Sequence, residues 1–262
     1  MIRLLILLVC VGFLSNAQAQ VDRSVQPQPG PAPQINFGTP KEHQFKNGLT
    51  LMVVENHKLP QVSVSLSIDN PLALEGEKAG LSGLLSSMMG KGSNNIPKDE
   101  FEEEVDFMGA RLSLSAQGGY ASALKRYFPR VFQMMADAVL NPHFLEEEFK
   151  KEVDKTLEGL KASEKDVKTA ARRVENLLSY GKDHPYGEYI SQESINRVSL
   201  NDLEQLYHKN FHAQNAYITI VGDIDFEAAK KLTKKYFGKW AKGQVTSMSF
   251  TKPENVEQTQ IA

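Results

Sequence analysis

The chain has 262 residues, of which 41% are hydrophobic, enough for one large folded domain or two small ones. Its 30 Lys and Arg residues nearly balance its 32 Asp and Glu residues. This balance argues against a strongly basic nucleic-acid-binding protein. The sequence also contains no Gly-rich phosphate loop and no nucleophile elbow.

The first residues predict a secretory signal peptide. Arg3 precedes an apolar run from Leu4 to Leu14, and Ala17-Gln18-Ala19 has the small-x-small pattern of a signal peptidase site. The run is about half the ~20 residues that a membrane-spanning helix needs. We therefore expect cleavage after Ala19, no stable membrane span, and export, most simply to the periplasm of a Gram-negative bacterium.

Residues 20–40 contain five of the 12 prolines, which predicts an extended leader. The single cysteine, Cys10, lies in the signal peptide, so the mature chain is expected to fold without disulfides. Residues 246–262 have no clear partner in the chain. We expect them to be a tail or the start of a missing second domain.

Residues 41–245 carry a regular pattern that predicts one folded domain. The predicted elements are strands over 49–54 and 61–69, a helix from Gly80, a helix from Pro97 to about Met108, a strand pair over 111–116 and 121–125 that turns around Gly118-Gly119, helices over 129–140, 146–163, 167–180 and 200–211, a strand over 215–221, and a helix over 226–240. Strands and helices are grouped rather than strictly alternating. The pattern therefore favours a two-layer α+β fold, a sheet with helices packed on one face, over a doubly wound parallel sheet.

The predicted helix in GLSGLLSSMMGKGS, which starts at Gly80, combines a strong apolar face with an inert opposite face. Leucine and methionine side chains recur at i, i+3, i+4, i+7 and i+8, the spacing of one helix face; they are Leu81, Leu84, Leu85, Met88 and Met89. The other face carries only glycine and serine. The helix is thus expected to be kept for packing, since each buried Leu or Met contributes ~1.5–3 kcal/mol.

This stretch resembles the inverzincin zinc peptidases, the pitrilysin/insulinase family, whose helix carries an H-x-x-E-H motif. The frame Gly80-Leu81 and Gly92-Ser93 is present at the family's spacing. In this resemblance the first metal-binding His falls on Gly83, the general-base Glu on Ser86, and the second His on Ser87.

The resemblance also implies a third zinc ligand, a Glu on a later helix. Its best match is Thr156-Leu157-Glu158-Gly159-Leu160, which puts Gly159 at the ligand position and Glu158 one residue away. One residue is about 100° of helix rotation, so Glu158 does not simply replace the ligand. Zinc needs Cys, His, Asp or Glu donors. We therefore expect no catalytic residue, no bound metal and no cofactor, although the active relatives hold zinc.

Further segments extend the resemblance over residues 41–245. They are Phe107 to Ala110, Asn141-Pro142 with Phe144, His184-Pro185-Tyr186-Gly187, and Leu203 to Gly222. The resemblance implies a largely antiparallel sheet of the kind found in mitochondrial processing peptidases.

In this family two related halves enclose the peptide, and one half often lacks zinc. By resemblance the chain is the first domain of a non-catalytic half. Its expected partners are an active zinc-peptidase subunit of the same family and a peptide. Ser113, Leu114 and Ser115 are expected to bind that peptide by β-augmentation, because they occupy the strand that does this in active relatives.

Two other functions remain open. The domain could be a purely structural scaffold of an exported complex. It could also be an active zinc metallopeptidase with other ligands. Glu204, His208 and His212 lie on one helical stripe, but the helix is expected to end near His212, which would separate the three side chains.

Overall fold

The computed structural model describes Gly30 and residues 39–244. The predicted signal peptide with its cleavage site, nearly all of the leader 20–40, and the tail 246–262 lie outside the described residues. In the described part, no helix is both long enough and apolar enough to cross a membrane.

Between residues 39 and 244, six strands form one sheet. They are β1 (Lys41–Gln44), β2 (Thr50–Glu55), β3 (Gln61–Ile68), β4 (Arg111–Ser115), β5 (Gly118–Leu124) and β6 (Ala216–Gly222). Their order across the sheet is β1-β2-β6-β3-β5-β4. Strands β2 and β6 are parallel, and every other neighbouring pair is antiparallel, which confirms the largely antiparallel sheet.

Eight α-helices accompany the sheet in the described residues. They are α1 (Leu81–Met88), α2 (Lys98–Phe107), α3 (Phe128–Leu140), α4 (Glu146–Ser163), α5 (Val167–Tyr180), α6 (Gln192–Asn196), α7 (Leu200–Asn210) and α8 (Phe226–Phe237). Short 3₁₀ turns occur at Gly76–Lys78 and Ala213–Asn215.

The strands place one apolar face against the helices. In β3 the buried side chains are Val62, Val64, Leu66 and Ile68, whereas the alternate positions are serines that are half-buried or exposed. Helices α3 and α8 pack on the sheet and on each other, with the Phe132 and Phe237 rings 5.6 Å apart. This arrangement confirms the predicted two-layer α+β fold.

The hairpin between β4 and β5 differs from the prediction. Ser115 pairs with Gly118, so the turn is Ala116-Gln117 and both glycines belong to β5. Adjacent glycines usually mark a turn. Here the neighbouring strands leave no room for a Cβ on either glycine. Gly118 lies against Leu66 of β3, and Gly119 lies against Leu114 of β4.

The last helix is shorter than predicted, because α8 ends at Phe237 and Gly238 follows as its C-cap. Trp240 lies beyond the helix. Its ring contacts Phe237 at 5.7 Å between centroids, and its Nε1 donates to the Phe211 carbonyl at 3.2 Å. The side chain therefore anchors the chain after the helix.

Candidate functional site

Helix α1 is held by the core through its apolar face, as its spacing predicts. Leu84, Leu85, Met88 and Met89 are buried, and Leu81 is partly buried against the same core. The helix packs against α4, α7 and β4. This packing fixes the orientation of the opposite face, which bears the catalytic residues in the resembling peptidases.

The glycine before α1 is required by the backbone. Gly80 has φ +104°, and a Cβ there would lie 2.5 Å from Cδ1 of Ile195. The carboxylate of Glu75 accepts hydrogen bonds from the backbone N–H groups of Gly80 at 2.7 Å and Ser82 at 2.8 Å. A carboxylate at this position satisfies donors at the helix N-terminus and complements the helix dipole.

The Gly92-Ser93 pair after α1 also has a structural role. Gly92 has φ +88°, and a Cβ there would lie 2.8 Å from the Ile96 carbonyl oxygen. The Ser93 hydroxyl is buried, donates to Asp137 of α3, and accepts from the backbone N–H of Ile96 at 3.0 Å. The family's sequence frame thus has structural roles that do not depend on a bound metal.

The two glycines at predicted ligand positions leave open space. Gly83 of α1 and Gly159 of α4 are both exposed, and apart from the chain neighbours and backbone of its own helix, a Cβ at either position would meet no heavy atom within 4 Å. Because α1 and α4 pack together, the fold keeps the two ligand-bearing helices side by side. Glycine, however, provides no metal-binding side chain at either position.

The two serines of the motif use their hydroxyls in structural hydrogen bonds. The Ser86 Oγ donates to the Ser82 carbonyl at 2.8 Å and accepts from the Ala116 backbone N–H at 3.0 Å. The Ser87 Oγ donates to the Leu84 carbonyl at 2.9 Å. Ser86 thereby ties α1 to the β4–β5 turn, at the position where the resembling peptidases place their general base.

A buried carboxylate that was not predicted from the sequence lies on the same helix as Gly159. Glu152 of α4 is 7% exposed, and its Oε1 is 3.1 Å from Nζ of Lys91, just after α1. Glu152 precedes Gly159 by seven residues, about two helical turns, and so shares its side of α4. The seven-residue spacing between Glu152 and Gly159 is the sequence feature that could have identified Glu152. Glu158 is exposed and lies on another side of the helix.

A short ion pair also fixes the segment that leads into α1. Nζ of Lys78 is 2.6 Å from Oδ1 of Asp202 at the start of α7. The Lys78 ammonium, with a smaller contribution from the Ser199 hydroxyl, holds the pKa of the Asp202 carboxyl below its usual value. The ion pair therefore links the turn that precedes α1 to the first turn of α7.

The residues at the motif positions do not fit zinc. Glycine offers no donor, and the Ser86 and Ser87 hydroxyls are neutral groups already engaged in hydrogen bonds. Across the described residues, no group of three or more His, Cys, Asp or Glu side chains is placed to hold a metal ion. Helix α7 ends at Asn210, which leaves His212 outside the stripe of Glu204 and His208.

Strand β4 forms one edge of the sheet, next to α1. Of the predicted peptide-binding residues, Ser113 is exposed, and Leu114 and Ser115 are half-buried. Within the described residues, β4 pairs only with β5, so its outer edge carries unpaired backbone groups. An edge of this kind can receive an extended peptide.

Comparison with known families places this α+β domain in a peptidase family. Residues 51–194 match the model of the insulinase family, peptidase family M16, and residues 197–262 match the model of the peptidase M16 inactive domain. The chain therefore belongs to peptidase family M16. Strand β6, from the second match, lies between β2 and β3 of the first, so both matches contribute to one sheet.

Relatives in the curated proteins include both peptidases and subunits of complexes. An uncharacterized zinc protease of Rickettsia bellii is 25% identical over 82% of this chain and 53% of its own length. Cytochrome b-c1 complex subunit 1 of Bos taurus is 23% identical over 74% of this chain and 42% of its own. The mitochondrial-processing peptidase subunit alpha of Solanum tuberosum is 27% identical over 62% of this chain and 33% of its own.

Solved structures share the fold at low identity. A peptidase M16 inactive domain from Pseudomonas fluorescens superposes with a TM-score of 0.72 at 20% identity, over 82% of this chain and 54% of that one. The periplasmic protease PqqL from Escherichia coli superposes with a TM-score of 0.66 at 21% identity, over 84% of this chain and 26% of that one. The chain spans about half, or less, of the length of the proteins it matches.

Proposed function

We propose that this chain is a non-catalytic M16 subunit or half, which binds peptide and completes the chamber of an active zinc peptidase. The observation that carries the proposal is the replacement of all four catalytic positions on an otherwise retained frame. Gly83, Ser86, Ser87 and Gly159 supply neither a zinc donor nor a general base. Gly80, Gly92 and Ser93 keep the roles in folding described above.

A paired arrangement is supported by the names of the relatives. Two of them are named mitochondrial-processing peptidase subunit alpha, from Solanum tuberosum, and probable mitochondrial-processing peptidase subunit beta, from Schizosaccharomyces pombe. We therefore propose an active M16 subunit with an intact H-x-x-E-H motif as the partner. Export, with removal of residues 1–19, and a periplasmic location remain part of the proposal.

Peptide capture is assigned to the free edge of β4. An extended peptide added there would pair with the backbone of Ser113, Leu114 and Ser115 and lie alongside α1. In the proposed complex the partner supplies the metal and the nucleophilic water. This chain supplies the strand that orients the substrate.

The proposal is tested by mixing. The chain alone, an active M16 homologue from the same source alone, and their mixture are each incubated with a fluorogenic peptide library. We expect cleavage to rise on mixing and to be absent with the chain alone. Cleavage by the chain alone, lost on chelation, would overturn the proposal in favour of a peptidase with other ligands.

A purely structural role is the second candidate, favoured by the similarity to cytochrome b-c1 complex subunit 1. In that case the chain would bind its partner without touching peptide. Stable complex formation with no gain in cleavage and no peptide binding at β4 would support this role instead.

A further inference from the structure

Helix α5 turns its apolar side outward. None of its residues is buried. Val167 is 80% exposed, Leu178 78%, Val174 56% and Leu177 47%. Together with Ala170 and Ala171, these side chains recur at helical spacing and form one continuous stripe, which we call the α5 stripe.

The polar side of α5 faces the protein instead. Thr169, Arg173 and Asn176 are half-buried, while the residues of the α5 stripe are exposed. Nη1 of Arg173 donates to Oη of Tyr189 at 3.3 Å, and its guanidinium lies 4.7 Å from the centre of the same ring. A surface helix ordinarily buries its apolar side, so this inverted orientation marks the α5 stripe as an interaction surface.

The charges beside the stripe restrict its partner. At about 100° per residue, the stripe covers about 120° of the helix surface. Lys168 and Glu175 both lie on the same flank of this arc, seven residues apart, which is two turns or about 10 Å along the axis. Both side chains are exposed, and neither forms an ion pair in the described residues.

We propose that the α5 stripe binds the α5 stripe of a second copy of this chain, with the two helices antiparallel about a two-fold axis. In such an isologous pair each flank meets the same flank of the other copy. Lys168 then faces Glu175 of the second copy, and the contact occurs twice. This register places the axis between Ala171 and Arg172.

The same register covers the apolar side chains. The small Ala170 and Ala171 lie at the crossing point, where they permit helix axes to approach to about 8 Å. Leu177 and Leu178 lie against the N-terminal turn of the second helix, next to its Val167. The two most exposed side chains of the stripe, Val167 and Leu178, therefore cover each other.

The test is sedimentation velocity over a concentration series with the purified chain, which we expect to dimerise reversibly. Val174→Glu should raise the dissociation constant about tenfold or more, because it puts a charge in the apolar contact. Lys168→Glu and Glu175→Lys should each weaken the dimer, and the double variant Lys168→Glu/Glu175→Lys should restore it. Leu59→Glu, at a 67% exposed leucine between β2 and β3, is the matched control and should leave the dimer unchanged.

Four results would overturn the inference. The chain could stay monomeric at all concentrations, or dimerise equally well with Val174→Glu. The single charge reversals could also weaken the dimer without rescue by the double reversal, which would exclude this register. A monomeric chain that uses Val174 to bind an active M16 subunit or lipid vesicles would likewise overturn it and reassign the α5 stripe to that partner.

Discussion

The hydroxyl of Ser86 accepts a hydrogen bond from the backbone N–H of Ala116 at 3.0 Å. Ala116 is 4% exposed, so this N–H is shielded from water and depends on its partner. The residue at the general-base position of the resembling peptidases thus holds the turn of the edge hairpin. Through this hydrogen bond Ser86 connects α1 to the turn that follows β4.

Ser86→Ala should destabilise the fold by about 1–2 kcal/mol, because it leaves the Ala116 N–H buried without an acceptor. Ser87→Ala is the matched control. It removes only a bond to the carbonyl of Leu84 in the same helix and should stay within about 0.5 kcal/mol. Urea unfolding followed by the fluorescence of the single tryptophan, Trp240, measures both. Equal effects of the two substitutions would contradict the bridging role of Ser86.

Zinc binding should return when its ligands are restored. Gly83 and Gly159 have open space at their Cβ positions, and the helices that carry them pack together. The triple variant Gly83→His, Ser87→His and Gly159→Glu should therefore bind one zinc ion, as measured by equilibrium dialysis against a chromophoric chelator. The control is the triple alanine variant at the same positions. A folded ligand variant that binds no more zinc than this control would show that the frame no longer has the metal-site geometry.

Stability at alkaline pH should depend on Tyr207. Its Oη donates to the Val139 carbonyl at 2.8 Å, and burial raises its pKa to about 12. The folded state therefore favours the neutral phenol. Its contribution is complete below the unfolded pKa of about 10 and is lost as the pH rises towards 12.

Unfolding free energies across this pH range should fall more steeply for the native chain than for Tyr207→Phe. At neutral pH the variant should be about 1 kcal/mol less stable, because the Val139 carbonyl loses its donor. Parallel pH profiles for the two proteins would contradict the buried neutral tyrosine.

Peptide capture at β4 should be visible by cross-linking. The sequence has one cysteine, Cys10 in the predicted signal peptide. A cysteine introduced into the folded domain is therefore the only thiol of that domain, and its cross-links can be assigned to it. In a buffer that contains oxidised glutathione as the oxidant, Ser113→Cys should form disulfides with peptides that carry cysteine at alternate positions, as expected for an added strand. Glu42→Cys on β1, at the opposite edge of the sheet, is the control. Equal cross-linking at both edges would mean that β4 has no specific role.

Much of the fold could be predicted because its signals are local. The bounds of α4 and α5 agree with the prediction, since helical periodicity runs between clear breaks in the sequence. Strand β1 and helix α6 were not predicted. Each is short, and β1 consists of polar and charged residues at an edge, where apolar alternation is absent.

The orientation of α5 could not be read from its sequence. Periodicity identifies an apolar stripe but does not say which neighbour covers it, and the structure turns that stripe away from the core. The same limit applies to Ser86, whose acceptor role depends on Ala116, thirty residues later in the chain. The positions of Gly83 and Gly159 on neighbouring helices were, by contrast, implied by the family resemblance.

The zinc content of the purified native chain shows whether α1 and α4 still form a metal site. The chain is dialysed against buffered micromolar zinc and then against metal-free buffer, and the bound metal is measured by mass spectrometry. We expect far less than one zinc per chain, the same as for the triple alanine variant. One tightly bound zinc per chain, with peptide cleavage that depends on it, would show that this chain is an active metallopeptidase and not a non-catalytic subunit.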